Sequence, residues 1–157
     1  MKAKVYIETT VVSYLTARSS RDVVIAGHQK ITRDWWQTCR ERFDLVASQL
    51  VVREASAGDP KAAKERLDIL TTLTLLEVTE EAVTLAHELI ATGVVPEKAA
   101  EDALHIAIAV TNGIEYLLTW NCKHLANATL RTKIEETCRF AGYEPVIICT
   151  PEELLEV

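Results

Sequence analysis

Three carboxylates and one amide carry the chemistry that can be read from this chain: Glu8, Glu54, Asp102 and Asn121. Asp102 is the most informative. It opens the run Ala103-Leu104-His105-Ile106-Ala107-Ile108-Ala109-Val110, which is apolar on nearly every helical face and so belongs inside the protein. A carboxylate at the mouth of such a helix costs several kcal/mol unless a cation or hydrogen-bond donors meet it. A metal ion is one such partner. Carboxylates and waters suit Mg²⁺ or Mn²⁺, and sites of that kind often hydrolyse phosphodiesters, one metal activating a water while another steadies the leaving oxygen. Clustered acids also repel one another, which raises their pKa values until a cation arrives.

Each of these residues has a plainer reading. Glu8 can be an acid at a helix N-terminus, Glu54 a solvated helix residue, Asp102 part of a buried salt bridge or cap, and Asn121 a turn or capping residue. Glu101 lies about 100° around the helix from Asp102 and is expected to face solvent. His105 follows Asp102 by one helical turn, and His124 bears the same relation to Asn121. Either can orient a carboxylate or touch a phosphate, or simply be a hydrogen-bonded core histidine. His28 and His87 are placed away from the site. Arg18, Arg21, Arg53, Lys98 and Lys123 flank the site segments and can form a phosphate-positioning rim, or stand as ordinary solvated charges.

The elements that must position these residues follow from hydrophobic period and punctuation. Short strands are expected over 4–7, 44–48, 73–78, 116–119 and 146–149. Helices are expected over 11–15, 23–42, 49–56, 61–70, 80–90, 97–111 and 129–140. Thr9 is expected to cap the first helix and Ser48 the third, Asn112-Gly113 to end the helix before the fourth strand, and Thr150-Pro151-Glu152-Glu153 to begin a last helical turn. Apolar strands alternating with helices, without tight hairpin signals, imply an α/β domain with a central parallel sheet of about 4–5 strands flanked by helices and joined by right-handed crossovers. Active sites in such sheets lie outside the carboxyl ends of the strands. Glu8, Glu54 and Asn121 follow the first, second and fourth strands and so share one edge.

The chain has 157 residues, the size of one domain spanning 1–157. Its net charge of -6 excludes a broad basic nucleic-acid-binding face but leaves room for a local basic rim around an acidic centre. Cys39, Cys122, Cys138 and Cys149 form no C-x-x-C pair, so zinc-ligand spacing is missing. With no signal peptide and no apolar run long enough to span a membrane, a reducing cytoplasm with free thiols is the expected setting.

Three segments, Val5-Tyr6-Ile7-Glu8-Thr9-Thr10-Val11-Val12-Ser13-Tyr14-Leu15, Ala100-Glu101-Asp102-Ala103-Leu104-His105-Ile106-Ala107 and Leu117-Leu118-Thr119-Trp120-Asn121, resemble the PIN-domain family in order and spacing. The resemblance implies an α/β fold, a Mg²⁺- or Mn²⁺-dependent ribonuclease, and kinship with VapC-like prokaryotic toxins, which dimerise and are masked by a small antitoxin. It puts Glu8, Glu54, Asp102 and Asn121 on the family's acidic positions, and Thr9 or Thr10 on the hydroxyl position after the first acid. Two departures stand out. The first position is usually aspartate and is Glu8 here. The last is usually aspartate and is Asn121 here, which removes a negative charge and weakens the hold on Mg²⁺.

The leading expectation is therefore an endoribonuclease acting on single-stranded or loop RNA, leaving a 5′-phosphate and a 3′-hydroxyl. Glu8, Glu54 and Asp102 would hold the metal with help from Asn121, and Thr9, Thr10, Arg18, Arg53, Lys123 and His105 would contact substrate. The expected partners are RNA, a small antitoxin and a second copy of the chain. The alternative is a catalytically weakened PIN-like module that binds RNA or protein. A metal-dependent phosphoesterase acting on small nucleotides or DNA is a third reading.

Overall fold

A computed structural model describes residues 1–155. Five strands form one parallel sheet: β1 (Lys4–Ile7), β2 (Asp44–Ser48), β3 (Thr74–Leu76), β4 (Tyr116–Leu118) and β5 (Ile147–Cys149). Their order across the sheet is β3-β2-β1-β4-β5, so β1 is central. Tyr6 pairs with Val46 of β2 on one side and Leu117 of β4 on the other. Seven helices connect the strands: α1 (Thr9–Thr16), α2 (Val23–Cys39), α3 (Gln49–Ala55), α4 (Pro60–Leu70), α5 (Glu80–Ala91), α6 (Ala100–Thr111) and α7 (Ala128–Phe140). The α/β class and the parallel sheet match the expectation. The chain winds from β1 outward through β2 to β3, then returns past the centre to β4 and β5. The reversal lies between β1 and β4, the place where such sheets open a crevice at their carboxyl edge.

Element boundaries follow local chemistry. Val5, Tyr6 and Ile7 are fully buried, as are Leu117 and Leu118, which is why these strands read as continuous apolar runs rather than alternating ones. The helix expected over 23–42 ends at Cys39 and tightens into a 3₁₀ turn at Arg40–Arg42, and the one expected over 97–111 begins with a 3₁₀ turn at Glu97–Ala99. The strand expected over 73–78 is ordered as a strand only at Thr74–Leu76. Gly113, at φ +66°, closes α6, with the Ile114 amide donating to the Ala109 carbonyl. A Cβ-free residue suits that left-handed turn. In α6, residues 105–110 are all buried, so the helix runs through the core and presents its first turn to the carboxyl edge of the sheet.

One cap is corrected. Thr9 does not cap α1: Glu8 holds the N-cap position without a side-chain capping bond, and Thr9 is the first helical residue. Its hydroxyl is drawn instead to a carboxylate across the crevice. Ser48 does cap α3, accepting from the Val51 amide at 3.3 Å. At the last turn, the Thr150 amide donates to Glu153 at 3.0 Å, as in a capping box.

All four cysteines are free thiols. Burial pushes Cys138 up to about 11 and Cys149 up to about 12, which keeps both protonated and unsuited to nucleophilic or metal-binding work. Among the described residues, no helix is long and apolar enough to cross a membrane.

Candidate metal centre

The crevice at the carboxyl edge is built around two glutamates held in the same manner. Glu8, the first residue past β1, is 4% exposed. Its Oε1 accepts from the Thr10 hydroxyl at 2.5 Å and from the Thr119 hydroxyl at 2.6 Å. Each hydroxyl is itself aimed by the backbone: Thr10 Oγ1 accepts from the Trp120 amide, and Thr119 Oγ1 from the Asn121 amide, both at 2.9 Å. Their lone pairs being so engaged, their hydrogens are free to turn toward Glu8. The segment after β4 thus fixes the carboxylate that follows β1.

Glu54 comes from α3, one turn and a half beyond the Ser48 cap. Its Oε1 accepts from the Thr9 hydroxyl at 2.5 Å and meets His105 Nε2 at 2.7 Å. Burial alone would raise its carboxyl. The hydrogen bonds from His105, with contributions from Glu101 and Thr9, outweigh that and hold it down near about 2. His105 is fully buried, and its Nδ1 meets the Tyr6 hydroxyl at 2.7 Å. The Tyr6 hydroxyl in turn meets Ser48 Oγ at 2.7 Å. Burial raises the Tyr6 phenol far above its ordinary range, so it stays protonated.

Ligand-capable atoms of Glu8, Glu54 and His105 lie within 4.8 Å of one another. That spacing lets one divalent cation touch two of these elements at once. The donor chemistry fits a hard cation: both carboxylates use Oε1 for the two hydrogen bonds that hold them, and these four bonds come from hydroxyls and an imidazole, not from a lysine or arginine. Asp102 stands beside this group rather than within it. It is half-buried, not deeply buried as its helix suggested, because α6 enters the core only after its first turn. Burial raises its carboxyl, and the hydrogen bond from the Asn121 side chain offsets part of the rise.

Asn121 is committed to its own turn. Its Oδ1 accepts from the amides of Lys123 at 3.2 Å and His124 at 3.1 Å, which turns its amide nitrogen, not its oxygen, toward Asp102. Glu101 is exposed, yet it is not isolated: it pairs with Arg53 at 3.2 Å, linking α6 to α3 across the rim. The Glu54 carboxylate beside it, and then burial, raise its carboxyl. Glu54, Lys98, Glu101 and Asp102 line one shallow depression on this edge. Arg18, Arg21, Arg53 and Lys123 are exposed; the Lys123 amide is spent on Asn121, and the Arg18 carbonyl on Gln29.

Support reaches the site from residues behind the acids. The His28 ring, itself away from the acids, stacks on Trp120 with centroids 4.0 Å apart and 12° between planes. The Trp120 indole N–H donates to Thr32 Oγ1 at 2.7 Å. Tyr6, Ser48 and Thr119 supply the remaining support. A tyrosine within the apolar run Val5-Tyr6-Ile7 was the available signal, since a buried phenol needs a hydrogen-bond partner.

No family model matches the chain, and no curated protein matches it by sequence. Solved structures do. It superposes on the Mycobacterium tuberculosis toxin VapC20, described as cleaving the sarcin–ricin loop, with TM-score 0.59 and 15% identity over 76% of this chain and 92% of that one. The Rickettsia felis VapBC2 complex bound to promoter DNA matches with TM-score 0.59 and 14% identity, covering 94% of this chain and 98% of its counterpart. VapBC-1 from nontypeable Haemophilus influenzae matches with TM-score 0.58 and 14% identity, covering 95% and 98%. At such identities the likeness speaks for the backbone alone, and on that ground the chain has the fold of a VapC-like PIN domain.

Proposed function

We propose that the protein is a divalent-metal-dependent endoribonuclease that hydrolyses RNA phosphodiester bonds and serves as the toxin of a toxin–antitoxin pair. The observation that carries this reading is the convergence of Glu8 and Glu54, with His105 behind them, at the carboxyl edge of the sheet. Glu8, Glu54 and Asp102 would hold Mg²⁺ or Mn²⁺. Bound there, such an ion supplies Lewis acidity to a phosphate oxygen and lowers the pKa of a water. The protein's own groups do the rest. Thr9 and Thr10 keep the two glutamates aimed, Asn121 holds Asp102 in place through its amide nitrogen, and Arg18, Arg53, Lys98 and Lys123 steer the phosphate backbone toward the acidic centre. The sarcin–ricin-loop activity of one structural neighbour supports RNA as substrate, and the two VapBC complexes support a small antitoxin as partner. The proposal takes the chain as one domain over 1–157, acting in the cytoplasm as a homodimer.

The test is purified protein on labelled single-stranded RNA with Mg²⁺, Mn²⁺ or EDTA, beside Asp102→Ala. We expect metal-dependent cleavage, abolished by EDTA and reduced by about 10²-fold or more in the variant, whose circular dichroism is unchanged. Cleavage that persists in Asp102→Ala removes Asp102 from the machinery.

Asn121 favours a second reading. Its Oδ1 is occupied by two backbone amides, so the crevice has one charge fewer than four acids would give. A catalytically weakened module that binds RNA or protein fits that deficit. RNA binding indifferent to EDTA, with no cleavage under either metal, would select it.

A further inference from the structure

The side chains behind Glu54 form a buried chain of hydrogen bonds whose direction can be worked out by counting hydrogens. Glu54 Oε1 already accepts from the Thr9 hydroxyl. For the 2.7 Å contact with His105 Nε2 to be a hydrogen bond, that nitrogen must carry the proton. In the neutral ring Nδ1 is then an acceptor and the Tyr6 hydroxyl donates to it; a second ring proton on Nδ1 would turn the Tyr6 and Ser48 hydrogens the other way and leave the Ser48 hydrogen without an acceptor in the chain. The Tyr6 oxygen in turn accepts from Ser48, and Ser48 Oγ accepts from the Val51 amide. Every hydrogen points one way, from the N-terminus of α3 through β2, β1 and α6 and back to Glu54 in α3. The opposite tautomer would present a bare nitrogen to the carboxylate. It would also reverse the Tyr6 and Ser48 hydrogens and leave the last one without an acceptor in the chain. His105, Ser48 and Tyr6 are all completely buried, so water is not at hand to repair such a fault.

We infer that His105 is a positioning residue and not a metal ligand: Tyr6 and Ser48 lock its proton on Nε2, and that proton holds the Glu54 carboxylate toward the cation. This rests on the metal-site reading above and extends it, because it makes the cation's protein ligands oxygens only, the donor set of Mg²⁺ and Mn²⁺ rather than of zinc. It also assigns Tyr6, a strand residue with no reach to substrate, a role in metal affinity. Partners one step behind a ligand typically change metal affinity by about 10–100-fold when removed.

The decisive measurement is the tautomer of His105 in ¹⁵N-labelled protein, read from two-bond ¹H–¹⁵N correlations, with and without Mg²⁺. We expect the Nε2–H form in both states. In Tyr6→Phe, which keeps the apolar ring in the core, we expect a mixture of tautomers and Mn²⁺ binding weakened about tenfold by calorimetry, with the thermal midpoint recorded to verify the fold. An Nδ1–H tautomer in the unsubstituted protein, loss of the Nε2 proton when Mg²⁺ is added, or Tyr6→Phe with unaltered tautomer and Mn²⁺ affinity would each overturn the inference. No Mn²⁺ binding at all by the unsubstituted protein overturns it together with the metal-site reading. Expected tautomers and Mn²⁺ affinities in a protein that cleaves no RNA uphold it while defeating the ribonuclease reading.

Discussion

Glu54 sits under opposed influences. Burial favours its neutral form, and the His105 and Thr9 hydrogen bonds favour the carboxylate and prevail. Its carboxyl therefore titrates near about 2, below the ordinary value of 4.5. A depressed folded-state pKa contributes stability that is fully present above the unfolded value and is lost as pH falls toward the folded one. Asp102 acts in the opposite sense: burial raises its carboxyl, so protonation on acidification relieves the folded state. Glu54→Gln separates the two, since the amide keeps a hydrogen-bond acceptor for Thr9 and His105 but cannot ionise. With EDTA present, the thermal midpoint of the unsubstituted protein should fall more steeply than that of Glu54→Gln between about pH 5 and about pH 3. Parallel curves would mean that the His105 contact does not favour the charged form. At this scale the acids themselves were legible, because a carboxylate opening an apolar helix and one ending a buried strand are both conspicuous. Their hydroxyl partners were not. Nothing in the order of residues reveals that Thr119 and Thr10 converge on one oxygen of Glu8, or that Thr9 leaves its cap position for Glu54.

At the scale of elements, α2 has a function that its pattern concealed. It was legible as a helix, and Trp35 lies among its buried residues. Its other contribution is to secure the segment after β4. Thr32 accepts from the Trp120 indole at 2.7 Å and donates to the His28 carbonyl at 2.6 Å, while the His28 ring covers the indole face. Trp120 then presents its backbone amide to Thr10, and Thr10 presents its hydrogen to Glu8. Stacking between residues so distant in the chain depends on how α2 crosses the sheet, which hydrophobic period does not specify. Thr32→Val keeps the branched shape but leaves the buried indole N–H without an acceptor, a fault that costs about 1–3 kcal/mol. Urea unfolding should show that loss as a lower midpoint with an unchanged slope. A change below about 0.5 kcal/mol would show that the indole is not held by Thr32.

For the whole molecule, alternation of strands and helices was enough to give a parallel sheet, but not the order β3-β2-β1-β4-β5. That order comes from which side of β1 each crossover takes. It matters because it places the chain reversal between β1 and β4, and so brings Glu8 and Asn121 to one crevice. The same frame sets the scale of any RNA contact. The net charge is -6, and the cations proposed above to steer the phosphate backbone are Arg18, Arg53, Lys98 and Lys123, with Arg53 already paired to Glu101. Each single-stranded phosphate neutralised contributes a slope of about -0.7 to the dependence of log affinity on log salt. Four cations therefore set a limit of about -3, and we expect about -1 to -3 for Asp102→Ala binding a labelled single-stranded RNA by fluorescence anisotropy across a potassium chloride series. A slope steeper than about -6 would require a basic face much broader than this rim. It would place RNA recognition on another surface of the molecule, with the acidic crevice serving some other ligand.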